Sequence, residues 1–190
     1  ALETAMLKSA FALLEAEYQS DLALCGVTLP AITEIPSVTF AEAKTLLGNL
    51  AEADDDLSPA EEKALCRRIA ELTGSEFVFV TEYPSAKRPF YAMDCAGRES
   101  VTESFDLLFR GMEITTGGLR IHEYEKQVAK MRSRNLDPAA FEHYLSAHAY
   151  GLPPHGGFGL GLERMTALLA GFENVRRGCL FPRDASRLNP

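Results

Sequence analysis

A run of closely spaced glycines, Gly156-Gly157-Phe158-Gly159-Leu160-Gly161, is the most distinctive feature near the end of this sequence. Because glycine has no Cβ, glycines at alternating positions favour a strand that another group approaches closely. The apolar spacing that follows predicts a helix from about Gly161 to Ala170, with Gly171 as its stop. Arg164 would then lie in the first turn of that helix, where its guanidinium can contact a phosphate or stack on a base.

Two familiar nucleotide-binding motifs do not fit this glycine segment. A P-loop requires Lys followed by Ser or Thr after its glycines, and the dinucleotide fingerprint has a different glycine spacing. A tight packing corner between a strand and a helix would account for the glycines by themselves. The segment alone therefore does not establish a ligand site.

A second segment, residues 104–120, places acidic side chains in otherwise apolar surroundings. Asp106 and Glu113 stand where a lone carboxylate is costly unless it is paired or bound to a metal. If the chain reverses near Gly111, both acids face the same ligand, and a Mg²⁺ ion shared with triphosphate oxygens would account for them. Arg120 follows and could form a bidentate pair with a substrate carboxylate. A structural ion pair inside a core explains the same residues equally well.

The other patterns predict helices and strands in an irregular order. Helices are expected over 1–19, from a capping box at Thr39 to Gly48, from a second capping box at Ser58 to Gly74, over about 123–134, and from Asp137 to Tyr150. Strands are expected at 76–82, 104–109 and 113–116. Because strands and helices do not alternate with a regular period, the expected fold class is α+β, with a mostly antiparallel sheet flanked by helices.

Helical spacing also predicts which side chains face the core. The residues expected to point inward are Leu7, Phe11, Leu14 and Tyr18 in the first helix, Leu65, Ile69 and Leu72 in the third, and Leu162, Met165, Leu168 and Leu169 in the last.

Composition and charge narrow the class of protein. With 190 residues, 46% hydrophobic and 24% charged, the chain is long enough for one globular domain. The net charge of -8 gives no bulk attraction to nucleic acid, but residues 151–190 carry five arginines against three acids, which favours an anionic ligand there. No apolar run reaches the ~18 residues that span a bilayer, so no membrane partner is expected. Four scattered cysteines fit a reducing, cytoplasmic location rather than a zinc or disulfide framework.

The charged residues of the two segments, taken together, indicate one type of reaction. Two acids for a metal, one arginine for a carboxylate and one for a nucleotide are what the activation of a carboxylate by ATP requires. Such a reaction is catalysed mainly by positioning the reactants and by neutralising phosphate charge.

The chain resembles the archaeal-type aspartyl-tRNA synthetases, a class II family, over its whole length. The blocks that carry the resemblance, in the family's order and spacing, are Tyr83-Pro84, Arg88-Pro89-Phe90-Tyr91, Phe105-Asp106-Leu107, Arg110-Gly111-Met112-Glu113-Ile114, Gly117, Arg120-Ile121-His122, Pro153-Pro154-His155-Gly156-Gly157-Phe158-Gly159 through Arg164, and Leu180-Phe181-Pro182-Arg183-Asp184.

The resemblance implies a role for each site residue. Asp106 and Glu113 would bind the Mg²⁺ that accompanies ATP, with Thr116 where the family carries a metal-binding Ser. Arg120 would hold the side chain of the aspartate substrate, and His155 would border the same pocket. Arg164 would be the motif 3 arginine that contacts ATP, with Gly159 and Gly161 beneath the nucleotide. The implied partners are aspartate, tRNA through a longer protein, and a second copy of the chain in a homodimer.

The sequence also departs from the family. Leu119 replaces the usual Gln, Glu103 the usual Asn and Arg177 the usual Glu, and the first two put substrate contacts in doubt. Motifs 1 and 2 and the anticodon-binding domain do not occur in these residues. We therefore expect residues 1–190 to be the C-terminal portion of a class II catalytic core, with motif 3 at 156–170, and to be a poor catalyst alone.

Two alternatives remain open beside an aspartate–tRNA ligase. One is a relative of the same fold that charges or makes asparagine. The other is a truncated, non-catalytic paralogue that binds a nucleotide or a partner protein. The absent motifs favour the second alternative, whereas the retained charges Asp106, Glu113, Arg120 and Arg164 oppose it.

Overall fold

The computed structural model describes residues 1–186, and its framework is a five-stranded sheet in the order β1-β2-β5-β6-β7. The strands are β1 (Ser37–Thr39), β2 (Phe77–Thr81), β3 (Asp94–Cys95), β4 (Arg98–Thr102), β5 (Ser104–Phe109), β6 (Met112–Arg120) and β7 (His155–Leu160). The α-helices are α1 (Leu2–Glu17), α2 (Gln19–Leu24), α3 (Phe40–Leu47), α4 (Pro59–Thr73), α5 (Tyr124–Ser133), α6 (Glu142–Ala149) and α7 (Leu162–Leu169). β3 and β4 form a separate two-stranded sheet.

Strand pairing confirms the predicted fold class. β1 pairs with β2 in parallel, whereas the β2–β5, β5–β6 and β6–β7 pairs are all antiparallel. The chain is therefore α+β, with a mostly antiparallel sheet flanked by helices, as expected from the irregular order of its elements.

Each face of the sheet has its own hydrophobic core. On one face, which we call the cleft face, α3 and α4 cover β2 and part of β5 through residues such as Leu65, Val80 and Leu108. On the opposite face, α1 and α7 pack on a second core that includes Phe11 and Leu107. Because α3 and α4 cover one side of the cleft face, the part of that face formed by β6 and β7 remains accessible.

Local sequence signals account for two of these helices. Thr39 and Ser58 each accept a hydrogen bond from the backbone of the glutamate three residues later, and each glutamate side chain accepts one in return, as in a capping box. α4 ends at Gly74, which adopts the left-handed conformation (φ 75°). Glu61 of the second box is also buried and accepts a hydrogen bond from Lys44 at 2.6 Å, which joins α3 to α4.

Several predicted details are wrong. Tyr18, Leu72 and Leu162, expected to face the core, are exposed, because each lies at a helix end where the apolar face runs off the sheet. The helix expected from Asp137 is a 3-10 turn over Pro138–Phe141 followed by α6. β6 extends to Arg120, beyond the predicted end at residue 116, because β7 pairs along its second half.

No helix within residues 1–186 is long and apolar enough to cross a membrane.

Candidate functional site

A cavity of about 540 Å³ opens over the cleft face where β6 and β7 are left uncovered by helices. Its lining combines the predicted site residues Glu113, Thr116, Arg120 and Gly159 with the segment 87–92 that follows β2. The two segments singled out in the sequence thus meet in one cleft, as predicted.

The β5–β6 hairpin brings the two predicted acids together. The chain reverses at Arg110 and Gly111, which both have positive φ values (47° and 87°). Arg110 tolerates this conformation because its side chain is held on three sides, by the Glu76 carboxylate at 2.6 Å, by the Leu168 carbonyl at 3.0 Å and by the Thr28 carbonyl at 3.4 Å. The bond to Leu168 also fixes the C-terminal end of α7.

A β-bulge in β6 determines which way Glu113 points. Leu107 pairs with Thr115, but the next residue of β5, Leu108, pairs with Glu113, so Ile114 is an extra residue. In a regular strand Glu113 and Thr116, three residues apart, would face opposite sides of the sheet. Because Ile114 packs with Leu107 on the opposite face, Glu113 returns to the cleft face beside Asp106 and Thr116.

Asp106 is buried beneath the cleft and already has a cationic partner. Its Oδ2 accepts a hydrogen bond from Arg88 at 2.5 Å, and Arg88 also donates to the Thr116 hydroxyl at 3.2 Å. The Arg88 guanidinium lies 3.7 Å from the centre of the Tyr83 ring. Burial raises the pKa of the Tyr83 hydroxyl, and the Asp106 charge raises it further, so Tyr83 stays neutral.

α5 supports the loop that carries Arg88. Arg134 donates hydrogen bonds to the backbone carbonyls of Arg88 and Ser85, and Lys130 donates to the carbonyl of Ala92 at 2.8 Å. These bonds hold the segment between β2 and β3 against the edge of the cleft. No local sequence pattern predicts the contacts of Arg88, because its partner Asp106 is 18 residues away.

Glu113 is paired with an arginine of α7. Arg164, at the third position of α7, donates to the Glu113 carbonyl at 2.9 Å and approaches Glu113 Oε1 at 3.4 Å. Burial raises the pKa of the Glu113 carboxyl, and the nearby Asp106 charge raises it further, while Arg164 and Arg88 oppose these effects. The cleft thus places two acids and two arginines in direct electrostatic contact.

A third acid at this site, Glu62, was missed in the sequence. Glu62 lies on α4, and its Oε2 accepts a hydrogen bond from the backbone N–H of Glu113 at 3.2 Å. Burial raises the pKa of Glu62 to about 7, and the charges of Glu113 and Asp106 add to the rise. In the sequence Glu62 resembles any other acid in the first turn of a helix, so no local pattern could have identified it.

Arg120 differs from the other arginines of the cleft because it lacks an acidic partner. Its guanidinium lies 4.7 Å from the centre of the Tyr91 ring, and among residues 1–186 no carboxylate is within ion-pair distance of it. His155 on β7 is the cross-strand neighbour of Arg120, and the Nδ1 atom of His155 lies 3.0 Å from the Pro153 carbonyl oxygen. Arg120 is therefore a cation available to a ligand.

The glycines at the cleft serve two different purposes. A Cβ added to Gly117 would lie 2.6 Å from the Phe158 Cβ and 2.8 Å from the Gly157 carbonyl oxygen, so Gly117 is required for strand packing. At Gly157 and Gly159, by contrast, an added Cβ would meet no atom of the described residues within 4 Å. β7 therefore offers a bare backbone surface, as the alternating glycines predicted.

This difference gives a test of the strand geometry. Replacing Gly117 with alanine is expected to lower the free energy of unfolding by about 1–3 kcal/mol, because the added methyl group overlaps backbone atoms of β7. Replacing Gly157 with alanine, the matched control, is expected to change it by less than about 0.5 kcal/mol. Urea denaturation followed by circular dichroism measures both, and equal effects would contradict the packing described here.

The donor atoms on the cleft face suit a hard cation. Asp106, Glu113 and Thr116 present carboxylate and hydroxyl oxygens, which Mg²⁺ prefers, and a cation would offset the cost of holding two acids close together. Within residues 1–186, no group of three His, Cys, Asp or Glu side chains is arranged to hold a metal ion. An ion at this position would therefore take its other ligands from substrate oxygens and water.

Two other cavities of the described residues do not contain the paired acids and arginines of the β6–β7 cleft. One, of about 800 Å³, lies between α1 and the opposite face of the sheet, and its lining combines apolar residues such as Phe79 and Phe105 with polar ones. The other, of about 820 Å³, lies beside α5, where Lys130 is already paired with Asp94.

Comparison with known proteins gives one consistent result. The family model described as tRNA synthetases class II (D, K and N) matches residues 1–185. The chain is 43% identical to an "Aspartate--tRNA(Asp/Asn) ligase" of Deinococcus radiodurans, over 100% of this chain and 46% of the relative. It is 40% identical to a protein of the same name from Aeropyrum pernix, over 94% of this chain and 42% of the relative.

Solved structures agree with the sequence relatives. An aspartyl-tRNA synthetase from Entamoeba histolytica superposes with a TM-score of 0.93 at 30% identity, covering 100% of this chain and 40% of that chain. An asparaginyl-tRNA synthetase from the same organism, in complex with asparaginyl-adenylate, gives a TM-score of 0.84 at 29% identity, covering 100% and 44%. The chain thus spans less than half the length of each of these proteins.

Proposed function

Because this chain belongs to the class II tRNA synthetases, as its motifs predicted, we propose that it is part of an aspartate–tRNA ligase. The observation that carries the proposal is the pairing in the cleft. Asp106 and Glu113 each have an arginine partner, whereas Arg120 remains without a carboxylate. An anionic side chain of the substrate would supply the missing partner.

The proposed reaction has two steps. A carboxylate oxygen of aspartate attacks the α-phosphorus of ATP, the bond to pyrophosphate breaks, and aspartyl-adenylate forms. A terminal ribose hydroxyl of tRNA then attacks the aspartyl carbonyl and AMP leaves. The protein itself supplies no nucleophile, so its residues act by binding, orientation and charge neutralisation.

Each candidate residue has a part in this scheme. Asp106, Glu113 and Thr116 would hold the Mg²⁺ that accompanies ATP, and that ion would neutralise phosphate charge. Arg164 would contact the triphosphate, with Gly159 of β7 and Gly161 at the start of α7 beneath the nucleotide. Arg120 would form a bidentate pair with the side-chain carboxylate of aspartate, and His155 would border that pocket.

We extend the proposal to the whole protein. Residues 1–190 would be the C-terminal portion of a class II catalytic core, with motif 3 at 156–170, although the last four residues lie outside those that the structure describes. Motif 2, tRNA recognition and the dimer contact would come from residues beyond those present here. The complete enzyme would act in the cytoplasm as a homodimer.

The asparagine-specific relative is the second candidate, because an asparaginyl-tRNA synthetase has a similar structure. The charge of Arg120 favours aspartate over it: a guanidinium forms charge-assisted bonds with a carboxylate, whereas an asparagine amide is neutral. The non-catalytic paralogue would have no use for a cleft in which buried acids and arginines are held together.

The test is ATP–pyrophosphate exchange by the full-length protein with aspartate or asparagine. Aspartate is expected to support exchange, and asparagine to support less than about 1% of that rate, since a site built for a charged partner rejects a neutral one strongly. Exchange with asparagine alone would establish the second candidate, and exchange with neither would establish the third.

A conservative substitution then tests the proposed partner of the substrate. Replacing Arg120 with lysine is expected to raise the KM for aspartate about 30-fold or more, while the KM for ATP changes less than about twofold, because lysine cannot form the bidentate pair. The matched control is Arg98 to lysine, which alters an exposed pair with Glu82 and is expected to leave both constants unchanged. A larger change for ATP than for aspartate would contradict the assignment of Arg120.

A further inference from the structure

Glu62 reaches the cleft from a helix that otherwise contributes to the core. It lies near the start of α4, where its neighbours Leu65 and Ile69 pack against the sheet. Its carboxylate is part-buried, turns toward β6 and accepts a hydrogen bond from the N–H of Glu113 at 3.2 Å. The bond joins residues 51 positions apart in the sequence.

The backbone at Glu113 is the place where such a bond has the most influence. Glu113 directly precedes the bulge residue Ile114, on the side of the β5–β6 hairpin. A bulge interrupts the ladder and allows the strand to bend, so the direction of the adjacent side chain depends on what else holds the backbone. Within residues 1–186, the hydrogen bond to Glu62 ties this point of β6 to a rigid helix.

We propose that Glu62 is a positioning residue that, through its hydrogen bond to the Glu113 N–H, keeps the Glu113 carboxylate aimed at the metal–nucleotide site. This inference rests on the proposed function for the identity of the ligand. Glu62 is not proposed to touch the substrate. Its function is carried by an acceptor oxygen at the correct distance, rather than by its charge, because the charges of Glu113 and Asp106 already crowd the same region.

Two substitutions separate the acceptor from the charge. Glu62 to glutamine keeps an acceptor oxygen at the same reach and removes the charge. Glu62 to aspartate keeps the charge but shortens the side chain by one methylene, which withdraws the acceptor from the Glu113 N–H. Glu71 to glutamine and to aspartate, at an exposed position of the same helix, provide matched controls.

Hydrogen–deuterium exchange of the full-length protein is the first measurement. In the Glu62 to aspartate variant, the amide of Glu113, within the segment 110–118, is expected to exchange about tenfold faster, because it loses its acceptor. In the glutamine variant, exchange is expected to match the wild-type protein. This readout does not depend on activity, so it tests the contact even if aspartate proves not to be the substrate.

Ligand use is the second measurement. For the Glu62→Asp variant, the dissociation constant for Mn²⁺ with ATP and the KM for Mg·ATP are expected to rise about tenfold. The KM for the substrate aspartate is expected to stay within about twofold of the wild-type value. A general loss of structure would instead change both KM values and lower the melting temperature. The glutamine variant is expected to behave like wild type in each assay.

Three results would overturn the inference. If both variants behave like wild type, the hydrogen bond has no positioning effect. If Glu62→Gln is impaired and Glu62→Asp is not, the charge of Glu62, rather than its acceptor oxygen, determines the effect on ligand binding. If both are impaired to the same extent, the acceptor oxygen alone does not explain the role.

Discussion

Replacing Glu113 with glutamine is expected to lower aspartate-dependent ATP–pyrophosphate exchange by a factor of about a thousand in the full-length protein. The glutamine keeps the shape of the side chain but removes one of the two carboxylates that face the cleft beside Thr116. Weaker binding of the ion that would neutralise phosphate charge is expected to cost roughly two to three orders of magnitude in rate, that is about 3–4 kcal/mol. Glu71 to glutamine, on the exposed side of α4, serves as the control.

The same substitution is not expected to unfold the protein. Burial and the Asp106 charge raise the pKa of Glu113, so folding favours the protonated form of this carboxyl. For an acid whose pKa is raised on folding, stability falls as the pH rises from the unfolded pKa through the folded pKa. The glutamine variant lacks this loss, so its melting temperature relative to wild type should increase as the pH is raised above about 4.5, the ordinary pKa of glutamate.

Differential scanning calorimetry over that pH range, together with exchange assays at saturating Mg²⁺, would test both statements. Unchanged exchange would remove Glu113 from the proposed metal site. Lost exchange with a lower melting temperature at pH 8 would instead mean that Glu113 mainly stabilises the fold through Arg164.

The second large effect is expected for Arg164 to alanine, which should raise the KM for ATP about 30- to 100-fold and the KM for aspartate less than threefold. The guanidinium of Arg164 is half-exposed and is held by Glu113 at the mouth of the cleft, which suits a contact with phosphate rather than with a small amino acid. An interaction with a charged ligand of this kind typically contributes about 2–3 kcal/mol.

Steady-state kinetics with each substrate varied in turn gives both constants. Arg68 to alanine removes an arginine from an exposed pair on α4 and is the control. The reverse pattern, in which aspartate rather than ATP is affected, would show that Arg164 and Arg120 had been assigned to each other's ligands.

What could be predicted from the sequence were the features fixed by neighbouring residues. The capping boxes at Thr39 and Ser58 involve partners three residues away, and both formed as expected. The reversal at Gly111 follows from its conformational freedom, and the bare surface of β7 follows from its alternating glycines. The roles predicted for the site residues stay predictions, although Glu113, Thr116, Arg120 and Gly159 line one cavity.

What could not be predicted depends on residues far apart in the chain. The pair of Arg88 with Asp106 and the bond from Glu113 to Glu62 join segments that meet only after the sheet has formed. Tyr18 and Leu162 have the right spacing for an inward face, yet they are exposed because the helices extend past the surface that would cover them. A period of 3.6 residues predicts direction around a helix, but it does not indicate where the neighbouring sheet ends.

The bulge at Ile114 makes the direction of the Glu113 side chain depend on the number of residues in this part of β6. Regular pairing from Met112 to Thr116 at unchanged chain length, without the bulge, would turn the Glu113 carboxylate to the opposite face of the sheet. Deleting Ile114 would remove the bulge and leave Glu113 and Thr116 two residues apart, so both side chains would still face the cleft. A homologue that keeps every charged residue therefore keeps their common direction only if the bulge and the extra residue are both present or both absent.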